Sequence, residues 1–209
     1  MLLDIHTHIE RYKGSYKKTA LKEIRKLGIL SISNSVDLPS YEDNRELAEK
    51  NPLIIPSAGI HPINADYYIN KFEEIETAVN SSLFVGEVGL DGKIPGDKTH
   101  FDNQKKVFEF ILKRAKELDK PVIVHCREAE EETYEMLKRL KLERVVIHWY
   151  SGPIETYIKM VRRGFKFSIG FMVLHSDFIR VIARRINREQ LLIETDNPAG
   201  YEKNHHIPG

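Results

Sequence analysis

Short β-branched apolar runs alternate along this chain with longer stretches in which apolar positions recur every three or four residues. Eight runs read as strands: LLDIHTH, GILSISNSV, LIIPSAGIHP, LFVGEVGLD, PVIVHCR, RVVIHWYS, GFKFSIG and LLIETD. The intervals read as helices, among them YKKTALKEIRKLG, YEDNRELAEKN, KFEEIETAVNS and HSDFIRVIARRINRE. The clearest is NQKKVFEFILKRAKELDK, where Val107, Phe108, Ile111, Leu112, Ala115 and Leu118 form one stripe. Asp119-Lys-Pro121 stops that helix, and Ser151-Gly-Pro153 starts a later one. Strands alternating with helices form a parallel sheet, and eight repeats favour a closed TIM-like (β/α)8 barrel over an open doubly wound sheet. No linker or low-complexity tract interrupts the series, so residues 1–209 are expected to form one domain.

The charge balance narrows the partners. With 32 basic against 31 acidic residues, no global field draws nucleic acid or a membrane, so a polyanion site must be local. One stretch qualifies. ERYKGSYKK, after His8, interleaves Arg11, Lys13, Lys17 and Lys18 with Tyr12 and Tyr16, cations for phosphates and rings for unpaired bases. The single cysteine, Cys126, excludes a disulfide within the chain and fits a reducing compartment. There is no 18-residue apolar span and no signal-peptide core, so a cytoplasmic protein without membrane association is expected.

In a barrel the site lies at the carboxyl ends of the strands, and here those ends are polar. Strand one ends His6-Thr-His8, strand three reaches His61, and strand four runs through Glu87 to Asp91. Strand five ends His125-Cys126-Arg127, strand six His148, and strand eight Glu194-Thr-Asp196. Imidazoles and carboxylates converging on one rim form a nitrogen–oxygen cage for one or two divalent cations. Two ions about 3.5–4 Å apart activate a shared water and clamp the attacking and leaving oxygens of a displacement. The chain carries no Gly-x-Ser-x-Gly elbow, phosphate-binding Gly-x-x-x-x-Gly-Lys loop or Gly-x-Gly-x-x-Gly. Metal-assisted hydrolysis is the reading. Strand alternation puts Asp4 and Glu194 on the inward face with His6 and Asp196, as acceptors that orient ligand imidazoles. Cys126 alternates away from His125 and packs as a small hydrophobe, while Arg127 at the rim reads either as a phosphate contact or as an ion-pair partner.

Taken together, DIHTH, AGIHP, VGEVGLD, PVIVHCREA, HWYSG and LIETDNP resemble the successive motifs of TatD-type metal-dependent hydrolases, from residue 4 to about residue 198. The resemblance implies a TIM-like barrel, two divalent ions (zinc, manganese or magnesium) and hydrolysis of nucleic acid as a 3′–5′ exodeoxyribonuclease. By matching motif, His6, His8 and Asp196 would hold the first ion, Glu87 would bridge, and His125 with His148 would hold the second. Glu87 and Asp196 would be the catalytic carboxylates, Asp196 positioning or deprotonating the water, and His61 would lie beside the site touching substrate or phosphate. The chain departs from the pattern at Gly92, where the family carries an aromatic, at HWYSG in place of HCFSG, and at Ile111 in place of a glutamine. It also ends eleven residues after Pro198, where relatives continue through a further helix.

Three other readings use the same residues. The cage could hydrolyse small esters or amides, including D-aminoacyl esters on transfer RNA. A phosphoesterase of the PHP type also opens Asp-x-His-x-His, but its Thr-Asp-His after strand two is replaced here by ISNSVD. A catalytically silent metal- or RNA-binding scaffold is disfavoured because no ligand of the cage is replaced. Without an eighth helix, Leu3, Ile5, Leu191 and Ile193 would face outward into the seam between strands eight and one. The strip is expected to be covered, with Ile5 and Ile193 buried by a second subunit of a homo-oligomer or by a neighbouring helix leaning across.

Overall fold

The computed structural model describes residues 2–198. Strands β1 (Leu2–Thr7), β2 (Ile29–Asn34), β3 (Ile54–Ala58) and β4 (Phe84–Asp91) are followed by β5 (Val122–Arg127), β6 (Val145–Ile147), β7 (Lys166–Ile169) and β8 (Leu191–Ile193). They pair in parallel with their chain neighbours, in the order β1 to β8. Between them run α1 (Gly14–Leu27), α2 (Leu38–Lys50), α3 (Ala65–Tyr68), α4 (Phe72–Ser81), α5 (Lys98–Glu117), α6 (Glu130–Arg139), α7 (Ile154–Arg162) and α8 (Asp177–Arg185). The ends of the sheet meet just beyond β8, where Asp196 N–H donates to the His6 carbonyl at 2.8 Å and His8 N–H to the Asn197 carbonyl at 2.7 Å. The result is the nearly closed TIM-like barrel that eight alternating units predict.

Two apolar layers hold it. Ile5, Ile32, Ile123 and Val146, with Ile55, Phe84 and Leu192 packed on them, fill the interior. A larger layer lies between the strands and the outer helices and takes in the α5 stripe and Cys126. The helices begin where their caps place them. Asp37 and Ser40 form a capping box, so α2 starts three residues before the expected Tyr41. Asp97 caps α5 by accepting the His100 N–H. Strands β6 and β8 are shorter than their apolar runs suggest, because His148, Glu194 and Asp196 lie just past the last ladder pair.

Two expectations are corrected at the seam. Ile5 is buried inside the barrel rather than facing the seam. Between Asp4, opposite Ser31, and Thr7, opposite Ser33, the register of β1 slips by one residue and strand alternation fails there. Asp4 therefore does not orient an imidazole; its carboxylate accepts the Thr195 N–H at 3.1 Å and hydroxyl at 2.7 Å, tying β1 to the end of β8. Ile193, 67% exposed, and Leu3, 38% exposed, are not covered by a neighbouring helix among the described residues, which leaves a second subunit as the expected cover. Residues 199–209, expected not to form an eighth outer helix, lie outside the described residues. No helix among the described residues is long and apolar enough to cross a membrane.

Candidate metal centre

Six side chains from β1, β4, β5, β6 and the end of β8 converge at the carboxyl end of the barrel. His6 Nε2 and His8 Nε2 lie 3.2 Å apart. Glu87 Oε2 is 3.6 and 3.4 Å from them, and Asp196 Oδ1 is 3.6 and 3.3 Å from them. Four donors held tetrahedrally at about 2.1 Å from one ion stand about 3.4 Å apart, so this spacing fits a divalent cation. The other Glu87 oxygen faces a second set: Oε1 lies 2.8 Å from His125 Nδ1 and 3.6 Å from His148 Nε2. His148 also stacks on His6, with ring centroids 3.7 Å apart, and stands within ligand reach of both His6 and Asp196.

What aims the rings is as informative as where they point. The far nitrogen of His8, Nδ1, lies 2.7 Å from the Asn34 carbonyl. His125 turns its Nε2 to Asp91 at 2.9 Å, and His148 its Nδ1 to Glu194 at 2.9 Å. A ring nitrogen that donates to such an acceptor leaves the opposite nitrogen as a lone pair for a metal. Close approach of the strands requires glycine: a Cβ at Gly89 (φ +153°) would overlap the His125 carbonyl, and one at Gly59 would overlap the Gly86–Glu87 peptide.

The electrostatics suit a cation. Burial alone would raise the Glu87 pKa, but the hydrogen bonds of the facing His125 and His6 hold it well below the usual carboxylate range. Asp196 is likewise buried and is held low by His8 and His148. Burial works against charge on His8 and His148. Asp196 and Glu87 nevertheless raise His8, and Glu194 carries His148 up to about 9. Imidazoles that gather protons beside ionised carboxylates are sites where a cation displaces protons.

A family model described as TatD related DNase matches residues 3–207. The chain belongs to the TatD family. It is 28% identical to the uncharacterized metal-dependent hydrolase YcfH of Escherichia coli K12, over 94% of this chain and 77% of that protein. It is 26% identical to human TATDN3, named a deoxyribonuclease, over 97% of this chain and 80% of that one. The crystal structure of YjjV, a TatD homolog from E. coli K12, superposes with a TM-score of 0.81 at 26% identity, covering 95% of this chain and 80% of that chain. The protein is thus a metal-dependent hydrolase with a TatD barrel.

All six ligands inferred by motif meet in this TatD centre. His61 stands at its edge, with Nε2 3.7 Å from Glu87 Oε1. Although that distance is within ligand range, Nδ1 accepts the Ile63 N–H at 3.2 Å. Burial first of all pushes the ring down to about 3, so it is neutral, and its proton sits on Nε2. His61 is an N–H donor facing the site. Arg127 is an ion-pair partner: Nε and one amino group fork onto Asp91 at 3.1 and 2.8 Å, and the side chain also lines the cleft. Glu194 holds His148 as alternation predicts, and Cys126 is buried, its thiol pushed up by burial.

Sequence reasoning passed over three residues. Asp91 fixes both His125 and Arg127, and the period of two through Glu87, Gly89 and Asp91 was the available signal. Gln104 clamps Asp91 in turn, its side-chain amide pairing with the Asp91 N–H and carbonyl. Trp149 lines the cleft, of about 420 Å³, beside the ligand His148. No periodicity would have selected it.

Proposed function

We propose that this TatD protein is a deoxyribonuclease that removes nucleotides from the 3′ end of a DNA strand at a two-metal centre, with DNA favoured over RNA. The observation that carries the proposal is Glu87, whose two oxygens address two separate sets of imidazoles. That is the arrangement a carboxylate needs to bridge a pair of cations. Bound there, zinc, manganese or magnesium ions would supply Lewis-acid activation of a water and neutralise charge at phosphorus. An imidazole-rich set favours zinc or manganese over magnesium.

The protein's own groups supply the rest. Asp196, in the cleft and held ionised, would position the attacking water and accept its proton as the new oxygen–phosphorus bond forms. The bond from phosphorus to the 3′ oxygen of the preceding nucleotide breaks, that oxygen leaving as a hydroxyl with a proton from solvent. His61 presents Nε2–H to a phosphoryl oxygen, and the Arg127 guanidinium offers the donors it does not use on Asp91 to a second. The basic residues Lys13, Lys17 and Lys18, at the start of α1 after β1, lie at the same end of the barrel as the cleft, placed to meet the phosphates that follow. The name of the human relative supports the choice of nucleic acid.

An assay on 3′-end-labelled single-stranded DNA, run beside a D-aminoacyl transfer RNA, tests this. Release of mononucleotides that stops with a chelator and resumes on adding metal is the expected result. Deacylation of the transfer RNA with intact DNA would replace the proposal by ester hydrolysis at the same cage.

A further inference from the structure

β1 and β5 stand opposite each other in an eight-stranded barrel paired in chain order, so the loops that follow them form facing walls of the cleft. Each wall carries one arginine, Arg11 after the ligand His8 and Arg127 after the ligand His125. Arg127 is taken up by Asp91, but Arg11 is held differently. It ends a single 3-10 turn, Ile9–Arg11. Ile9 is buried and its N–H donates to the Ser33 hydroxyl at 3.0 Å, while the Arg11 N–H donates to the His8 carbonyl at 3.1 Å. The turn is therefore fixed to the strand that supplies two ligands. Glu10, whose side chain is buried, sets its carboxylate 3.6 Å from Arg11 Nε and restricts where the guanidinium points. Among the described residues nothing accepts from the two amino groups of Arg11, whose side chain is 42% exposed and lines the cleft.

Beyond the two arginines the walls differ in charge. On the β1 side Lys13 precedes α1, and Lys17 and Lys18 lie in its first turns. On the β5 side Glu128 follows Arg127, and α6 opens with Glu130, Glu131 and Glu132. A chain of phosphates is drawn over the first wall and repelled from the second. We propose that Arg11 binds the phosphate immediately 5′ of the scissile one, so that the body of the strand leaves the cleft over β1 and its 3′-terminal nucleoside lies toward β5. The inference rests on the nuclease reading above and adds to it the direction of the strand and a second phosphate subsite. When a strand is cut at its 3′ end, every other phosphate lies on the 5′ side, and the acidic wall then faces the end that carries none. Two parallel N–H donors of a guanidinium match two phosphate oxygens, a geometry that a lysine does not reproduce.

Three thymidine dinucleotides test this, each with a single phosphodiester to occupy the cage. They are d(TpT), d(pTpT), whose 5′ phosphate stands where the next linkage of a longer strand would be, and d(TpTp), whose extra phosphate is on the 3′ side. Each is measured as a competitor of the cleavage of labelled single-stranded DNA by the metal-loaded protein. The expected result is an inhibition constant for d(pTpT) about tenfold below that of d(TpT), the size of one charge-assisted pair. Arg11→Gln should bring that ratio toward unity, and Arg11→Lys should keep part of it. Metal content of each variant serves as the check on folding. Equal inhibition constants for d(TpT) and d(pTpT) in the wild type would overturn the subsite while leaving the nuclease reading intact. So would a ratio that survives Arg11→Gln. A gain for d(TpTp) that Arg11→Gln abolishes would overturn the strand direction. Failure to cleave the labelled strand, with an aminoacyl ester hydrolysed instead, would overturn the nuclease reading and the subsite with it.

Discussion

Each ligand imidazole with a held far nitrogen is aimed by a different group: a backbone carbonyl for His8, Asp91 for His125, and Glu194 for His148. Only the last was legible beforehand, because Glu194 lies two residues from Asp196 on one strand face. Asp91 had the same claim through Glu87 and went unassigned. Asp4 had it too, but a one-residue slip in β1 turned it to the seam. Glu194→Gln keeps the volume but loses the charge that raises His148 and the acceptor shared with Ser168 and Trp149. It should weaken metal binding by about 10–100-fold with the fold retained. Calorimetric metal titration checks this, and wild-type affinity in the variant would leave Glu194 a purely structural role.

At the scale of elements, two register slips explain how the site sits on the barrel. In β4 the pairing shifts by one residue between Val85 and Val88, as it does in β1 between Asp4 and Thr7. Phe84 and Ile5 can then fill the apolar interior while Glu87, His6 and His8 turn inward above them. An apolar run followed by histidines is readable as a strand, but a slip leaves no mark in a two-residue period. The motifs therefore located the ligands better than alternation did. The first turn of α1 raises a separate question of capture. Lys13, Lys17 and Lys18 form no ion pair among the described residues, and Tyr16 is 70% exposed. Replacing the three lysines with alanine should weaken binding of single-stranded DNA and flatten its salt dependence by up to about 0.7 in logarithmic slope for each phosphate left unneutralised. Cleavage of a small phosphodiester should hold near the wild-type rate. An unchanged salt slope would make the segment scaffold only.

For the whole molecule, the eight alternating units were sufficient to predict the barrel, because periodicity and strand count leave few ways to bury the outer stripes. The seam was not predictable in the same way. Leu2, Leu3 and Ile193 remain exposed together at the β1–β8 edge. We propose that a second copy of the chain covers them. Light scattering should report a dimer that Ile193→Lys converts to a folded monomer, whereas a monomeric wild type would contradict this.

The cage itself is open to a more direct test, in which bound metal and turnover are measured on the same samples of wild type and Glu87→Gln. The wild type should carry two divalent ions per chain. Glu87→Gln, with one neutral amide where two donor sets share a carboxylate, should lose at least one ion and orders of magnitude in rate while remaining folded. Wild-type turnover by Glu87→Gln would contradict the two-metal centre.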